Sequence, residues 1–74
     1  MPATRDALAK IQFSEALRDV AGSPSGEGYL RLGQLLQQAG RLQEALTAYK
    51  KALELDPKLQ EAKESLYAVK KANP

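Results

Sequence analysis

The stretch that decides the fold is YLRLGQLLQQAGRLQEA, residues 29–45. Leu30, Leu32, Leu35 and Leu36 have helical spacing, yet Gly33 sits among them. A glycine inside a helix costs roughly 1 kcal/mol relative to alanine. Some packing gain must offset that cost. The next helical segment supplies a candidate reason, because Ala45 and Ala52 are small residues among large ones. Small side chains on facing surfaces let two helix axes approach closely. Leu32, Leu36, Leu46, Tyr49 and Leu53 then fill the flanks.

Working outward, proline and glycine divide the chain into four helical segments. The first is predicted over 4–20, with Thr4 as cap, Asp6 at the positive dipole end and Gly22 as the stop. Leu8, Ile11, Phe13, Ala16, Leu17 and Val20 give it one broad apolar face. GSPSGEG, residues 22–28, reads as the one real loop. The second helix is predicted over 27–39 with Gly40 as its C-terminal cap, and the third over 42–55. Asp56-Pro57 reads as a cap followed by proline at the first helical position, so a fourth helix is expected over 57–72. Such short connections make the last three helices antiparallel neighbours. No strand pattern appears, and the fold class is all-α.

Tyr29, Leu32-Gly33, Leu36, Gly40, Ala45, Tyr49, Ala52 and Pro57 fall at the spacings of a tetratricopeptide repeat, two antiparallel helices over 34 residues. Residues 26–59 resemble one complete copy. Tyr29 stands where Trp is usual, and Leu36 where Tyr is usual. In the first segment, Ala9-x3-Phe13-x2-Ala16-Leu17 repeats the spacing of Ala45-x3-Tyr49-x2-Ala52-Leu53, so 4–20 resembles the second helix of a truncated preceding repeat. The last segment resembles the first helix of a following repeat. There Tyr67 occupies the position of Gly33 and should hold a further helix away. Lys63, Glu64, Lys70 and Lys71 suit a solvated cap. The resemblance implies a single domain over 1–74, a short α-solenoid.

The polar inventory offers little chemistry. The chain has no Cys and no His, which excludes disulfide staples, thiol nucleophiles and the usual zinc sites. Any general base would have to be Asp, Glu, Lys or Tyr, and Glu27, Glu44, Glu54, Glu61 and Glu64 are dispersed. GSPSGEG lacks the Lys and Ser/Thr that complete a phosphate loop. No enzyme activity and no cofactor are expected. Eleven Lys and Arg against nine Asp and Glu give a net charge of +2, and only the pairs Lys50-Lys51 and Lys70-Lys71 cluster, so no nucleic-acid partner is expected. No apolar run nears the roughly 18 residues of a membrane span, and the N-terminus lacks a signal-peptide core. A cytoplasmic protein without membrane insertion is expected.

The resemblance implies a protein-interaction role, with a protein or peptide partner held in a groove lined by the first helix of each repeat. Carried onto this chain, the groove residues are Glu27, Leu30, Gln34, Gln37 and Gln38, joined by Glu61, Glu64 and Ala68. One subset of the family grips C-terminal carboxylates with a clamp of Lys, Asn and Arg. Leu30 and Gln34 stand where its Lys and Asn would be, so that mode is not expected. The aromatic residues Phe13, Tyr29, Tyr49 and Tyr67 read as core at these spacings. Arrays of this type want three or more repeats. The deficit raises a second possibility, a homo-oligomer in which the first helix is exchanged or shared.

Overall fold

The computed structural model describes residues 4–72, with side chains described from Lys10 to Lys71. It contains four helices and no strand among these residues: α1 (Thr4–Gly22), α2 (Gly26–Gln38), α3 (Leu42–Leu55) and α4 (Gln60–Ala72). The side chains of Thr4, Asp6, Leu8 and Ala9, to which capping and packing roles were assigned above, lie outside the described set.

Local chemistry explains the helix ends. Ser25 caps α2 by accepting a 3.0 Å hydrogen bond from the Gly28 amide. This cap lies inside the segment read above as plain loop. At the other end Gly40 has φ +81°, the left-handed conformation in which glycine has no Cβ penalty. Its amide bonds the Gln37 carbonyl while the Arg41 amide bonds the Leu36 carbonyl, the paired arrangement of a Schellman cap. Gly40 is therefore the stop expected from sequence.

The fourth helix begins later than expected. Asp56 does not cap it. Its carboxylate accepts from the Lys58 amide at 3.2 Å, and its carbonyl accepts from the Leu59 amide at 3.1 Å. These bonds close a turn around Pro57, which is exposed, and α4 starts only at Gln60. An aspartate side chain that satisfies a nearby backbone amide competes with helix entry. The late start brings α4 into register with α2. Both ends of α4, Gln60 and Ala72, lie 34 residues after the ends of α2, Gly26 and Gln38.

The core is built mostly on α2 and α3. Leu30, Leu32 and Leu36 of α2 are buried with Ala45, Ala48, Tyr49 and Ala52 of α3. Ala62 and Val69 of α4 and Ala16 and Val20 of α1 complete it. Tyr49 is fully enclosed, and Gly33 explains how. A Cβ built on Gly33 would lie 2.5 Å from Cε1 of Tyr49 and 2.7 Å from its Cδ1. The glycine is the hole that receives the ring. The sequence reading of close approach thus holds, with an aromatic knob as the partner rather than a second small residue.

A second close approach was not legible. A Cβ on Gly26 would lie 2.7 Å from Cβ of Asp56 and 3.1 Å from the Ala52 carbonyl oxygen. The absence of a side chain there lets the start of α2 rest on the end of α3. α3 packs on both α2 and α4, and α2 also touches α4, whereas α1 packs on α2 alone. The result is a plate about 42 × 32 × 16 Å. No described helix is long and apolar enough to cross a membrane.

Candidate interaction surfaces

α3 runs antiparallel to both its neighbours, so α2 and α4 point the same way and meet along one side. Their junction is polar. The Gln34 amide donates to Oε2 of Glu61 at 3.2 Å, joining the two helices directly. One turn on, the Tyr49 hydroxyl rises between them and donates to Oε1 of Gln37 at 2.7 Å. Burial pushes the Tyr49 phenol above its usual range, the neighbouring Ser65 pulls it down, and Glu61 pushes it up again. Low dielectric favours the neutral form of the phenol, and so does a nearby carboxylate.

Glu27, Gln34 and Gln38 recur at i, i+7 and i+11, one stripe of α2. Glu27, Gln37, Gln38, Glu61, Glu64 and Ala68 are exposed and Gln34 is half-buried. Arg31 is exposed on the flank of this stripe. Leu30 departs from the expectation. It is only 7% exposed and belongs to the core cluster. The structure therefore brings Gln34, Gln37, Tyr49 and Glu61 together and withdraws Leu30 from the surface. Tyr49 joins this polar strip by its hydroxyl alone, a role that its helical spacing as a core residue concealed.

The remaining aromatics divide. Phe13 and Tyr29 are half-buried against the core. Tyr67 is 70% exposed, so it is not core. Among the described residues no helix covers its ring.

On the other side of α2, an apolar cleft of about 460 Å³ opens between α1 and α3. Tyr29, Leu32 and Leu36 form its floor, Phe13 and Leu17 one wall, and Thr47, Ala48 and Lys51 the other. The two floor residues Tyr29 and Leu36 are the two that fall short of the larger Trp and Tyr of the repeat signature. Arg41 sits with its guanidinium 5.9 Å from the centre of the Phe13 ring while holding Glu44 with two hydrogen bonds, at 2.6 and 3.2 Å. Those two departures were the only sign of the cleft in the sequence, and the sequence reading drew no cavity from them.

The hole at Gly33, the ring of Tyr49 and the 34-residue register between α2 and α4 are one repeat unit, and the family model for the tetratricopeptide repeat matches residues 26–59. The chain carries a tetratricopeptide repeat. Among curated proteins it is similar to a small glutamine-rich tetratricopeptide repeat-containing protein 2 of Mycosarcoma maydis, 47% identical over 45 residues. That match covers 61% of this chain and 13% of the relative, so the chain spans a small part of that protein's length. No solved structure matches the chain at a significant level. Tetratricopeptide repeats are protein-interaction elements, and the fold here is the all-α helical hairpin of that type.

Proposed function

We propose that the chain is a non-catalytic binding module whose α2–α4 face receives an extended peptide or protein segment. The observation that carries this reading is the Gln34–Glu61 bond, which makes one continuous polar surface of two parallel helices. Gln34 and Gln38 offer amide donors and acceptors suited to the backbone of an extended chain. Glu27, Glu61 and Glu64 give the surface an acidic rim, with Arg31 beside it. The departure from a basic clamp disfavours an acidic C-terminal tail as ligand. Leu30 supports the surface from below and takes no part in contact.

The test is affinity capture from native lysate with the wild-type chain and with Gln34→Ala/Gln38→Ala, each first shown to melt alike. A reproducible partner that is lost with the double variant supports the module. Recovery of the same partners by both chains removes the groove from consideration.

A second reading has its own observation. Leu17 is 43% exposed on the wall of the apolar cleft, and Ile11 on the same helix is 56% exposed. Exposed apolar surface of this kind favours coverage by another subunit. Under this reading a second copy covers the cleft beside α1, and the mass in solution is that of a dimer. Light scattering across micromolar concentrations decides it: a monomeric mass throughout eliminates the self-assembly reading and leaves the groove reading standing.

A further inference from the structure

We infer that the apolar cleft over α2 is a binding site for a small aromatic carboxylic acid, with its ring between α1 and α3 and its carboxylate at Lys51. The cleft is internal to the arrangement of helices. α2 and α4 lie side by side, α3 packs on both and α1 packs on α2. The cleft opens between α1 and α3, so both of its walls are helices of this chain. The 34-residue step that carries α2 onto α4 extends that row before α2 or after α4. Further helices in the same register fall outside the space between α1 and α3.

Size and shape select a small ring. The volume, about 460 Å³, falls in the range of small-molecule sites, roughly 300–1,000 Å³. The floor is recessed: Leu32 is 7% exposed and Leu36 4%. Tyr29 and Leu36 stand where the repeat signature has Trp and Tyr, so the floor is short of ring surface. A flat aromatic body restores that surface and meets the half-buried rings of Phe13 and Tyr29.

The cleft is also polarised along its length. Gly33 faces Tyr49 in an antiparallel pair. One turn before Gly33, Tyr29 therefore lies level with the stretch of α3 from Lys51 to Leu53, and Leu36 lies toward Glu44. At the Leu36 end Arg41 neutralises Glu44 and sits over Phe13. At the Tyr29 end the charge is available. Lys51 reaches Glu54 only at 3.8 Å, with both side chains more than half exposed, a pair worth little. The Tyr29 hydroxyl makes no hydrogen bond among the described residues. An ammonium and a phenol at one end of an apolar cleft suit a carboxylate, which accepts from both. A second copy of the chain would compete for the same walls.

The experiment titrates naphthoate into the 74-residue chain, with amide chemical shifts and calorimetry as readouts. Shifts are expected to centre on Leu17, Leu36 and Ala48 rather than on Gln34 and Glu61. Uncharged naphthamide should bind about tenfold more weakly, and so should naphthoate with Lys51→Glu, because each loses a charge-assisted bond. Lys51 is exposed, so that variant should melt with wild type. Leu36→Tyr puts a ring into the floor and should abolish binding. Should it fail to fold, Leu17→Glu, at an exposed wall position, sets a second carboxylate in the cleft and should weaken binding about tenfold or more. Gln34→Ala/Gln38→Ala should bind naphthoate normally, so this site and the α2–α4 groove fail separately. Light scattering with saturating naphthoate should give a monomeric mass. No binding, equal affinity for acid and amide, full affinity in Leu36→Tyr or Leu17→Glu, shifts centred on Gln34 and Glu61, or a dimeric mass that naphthoate leaves unchanged would overturn the proposal.

Discussion

Gly33 and Tyr49 form one packing unit: the hydrogen that serves as the glycine's side chain leaves room for the tyrosine ring, and any Cβ there would lie within 3.0 Å of three ring atoms. The ring is planar, fully buried and anchored at its hydroxyl, so it has nowhere to go. Gly33→Ala should therefore destabilise the chain by about 1–3 kcal/mol through overpacking, outweighing the roughly 1 kcal/mol that alanine gains in helix propensity. Gly33→Leu should cost more. Urea titrations followed by circular dichroism measure both, and an alanine variant more stable than wild type would refute the knob-and-hole account.

The same substitution should have different outcomes elsewhere. At Gly26 a methyl group meets the Asp56 Cβ and the Ala52 backbone carbonyl, neither of which can swing aside, so Gly26→Ala should lose about 1–3 kcal/mol. At Gly22 nothing lies within 4 Å of the built Cβ and the backbone is not left-handed. Gly22→Ala should gain about 0.4–1 kcal/mol by restricting the unfolded chain. The decisive measurement is the order of the two midpoints on either side of wild type.

Gly40 presents a third case. Its Cβ would meet no atom, yet its φ of +81° is costly for any L side chain. Gly40→Ala should destabilise by about 1–2 kcal/mol, and Gly40→Asn by less, because asparagine tolerates the left-handed region. Equal melting of the two variants would show that the cap relaxes to another conformation.

Stability should decline at high pH. The Tyr49 phenol is held above its ordinary value by burial, with Ser65 opposing and Glu61 adding to the rise. A raised value means that the folded state holds its proton longer than the unfolded state. Both states are protonated below about pH 10, so the group adds no pH dependence there. Above that pH the unfolded chain releases the proton first, and stability falls until the folded phenol also ionises. Tyr49→Phe removes this contribution, at a cost of about 0.5–1.5 kcal/mol from the lost bond to Gln37. Chemical denaturation between pH 8 and roughly 11 should show a shallower decline in the variant, and parallel curves would exclude Tyr49 as the cause.

Ser25→Ala should remove the cap of α2 and cost about 0.5–2 kcal/mol, with the loss recovered by Ser25→Asp. If the alanine variant melts with wild type, the Gly28 amide finds another partner.

The sequence by itself determined the four helices, the Gly40 stop and the register of residues 26–59, because periodicity and the left-handed cap are properties of neighbouring residues. It also determined that Gly33 had to be a site of close contact, since an interior glycine has no local advantage. Tertiary structure decided what filled the hole, why Gly26 is small, and that Leu30 turned inward while Tyr67 turned out. It also placed Gln34 against Glu61, residues 27 positions apart. These outcomes depend on distances between helices, and such distances follow from the joint packing of side chains far apart in the chain. Even the start of α4 belongs in part to this group: Asp56-Pro57 suits a helix entry and a turn alike, and the contacts of Asp56 and Leu59 with the base of α2 accompany the turn.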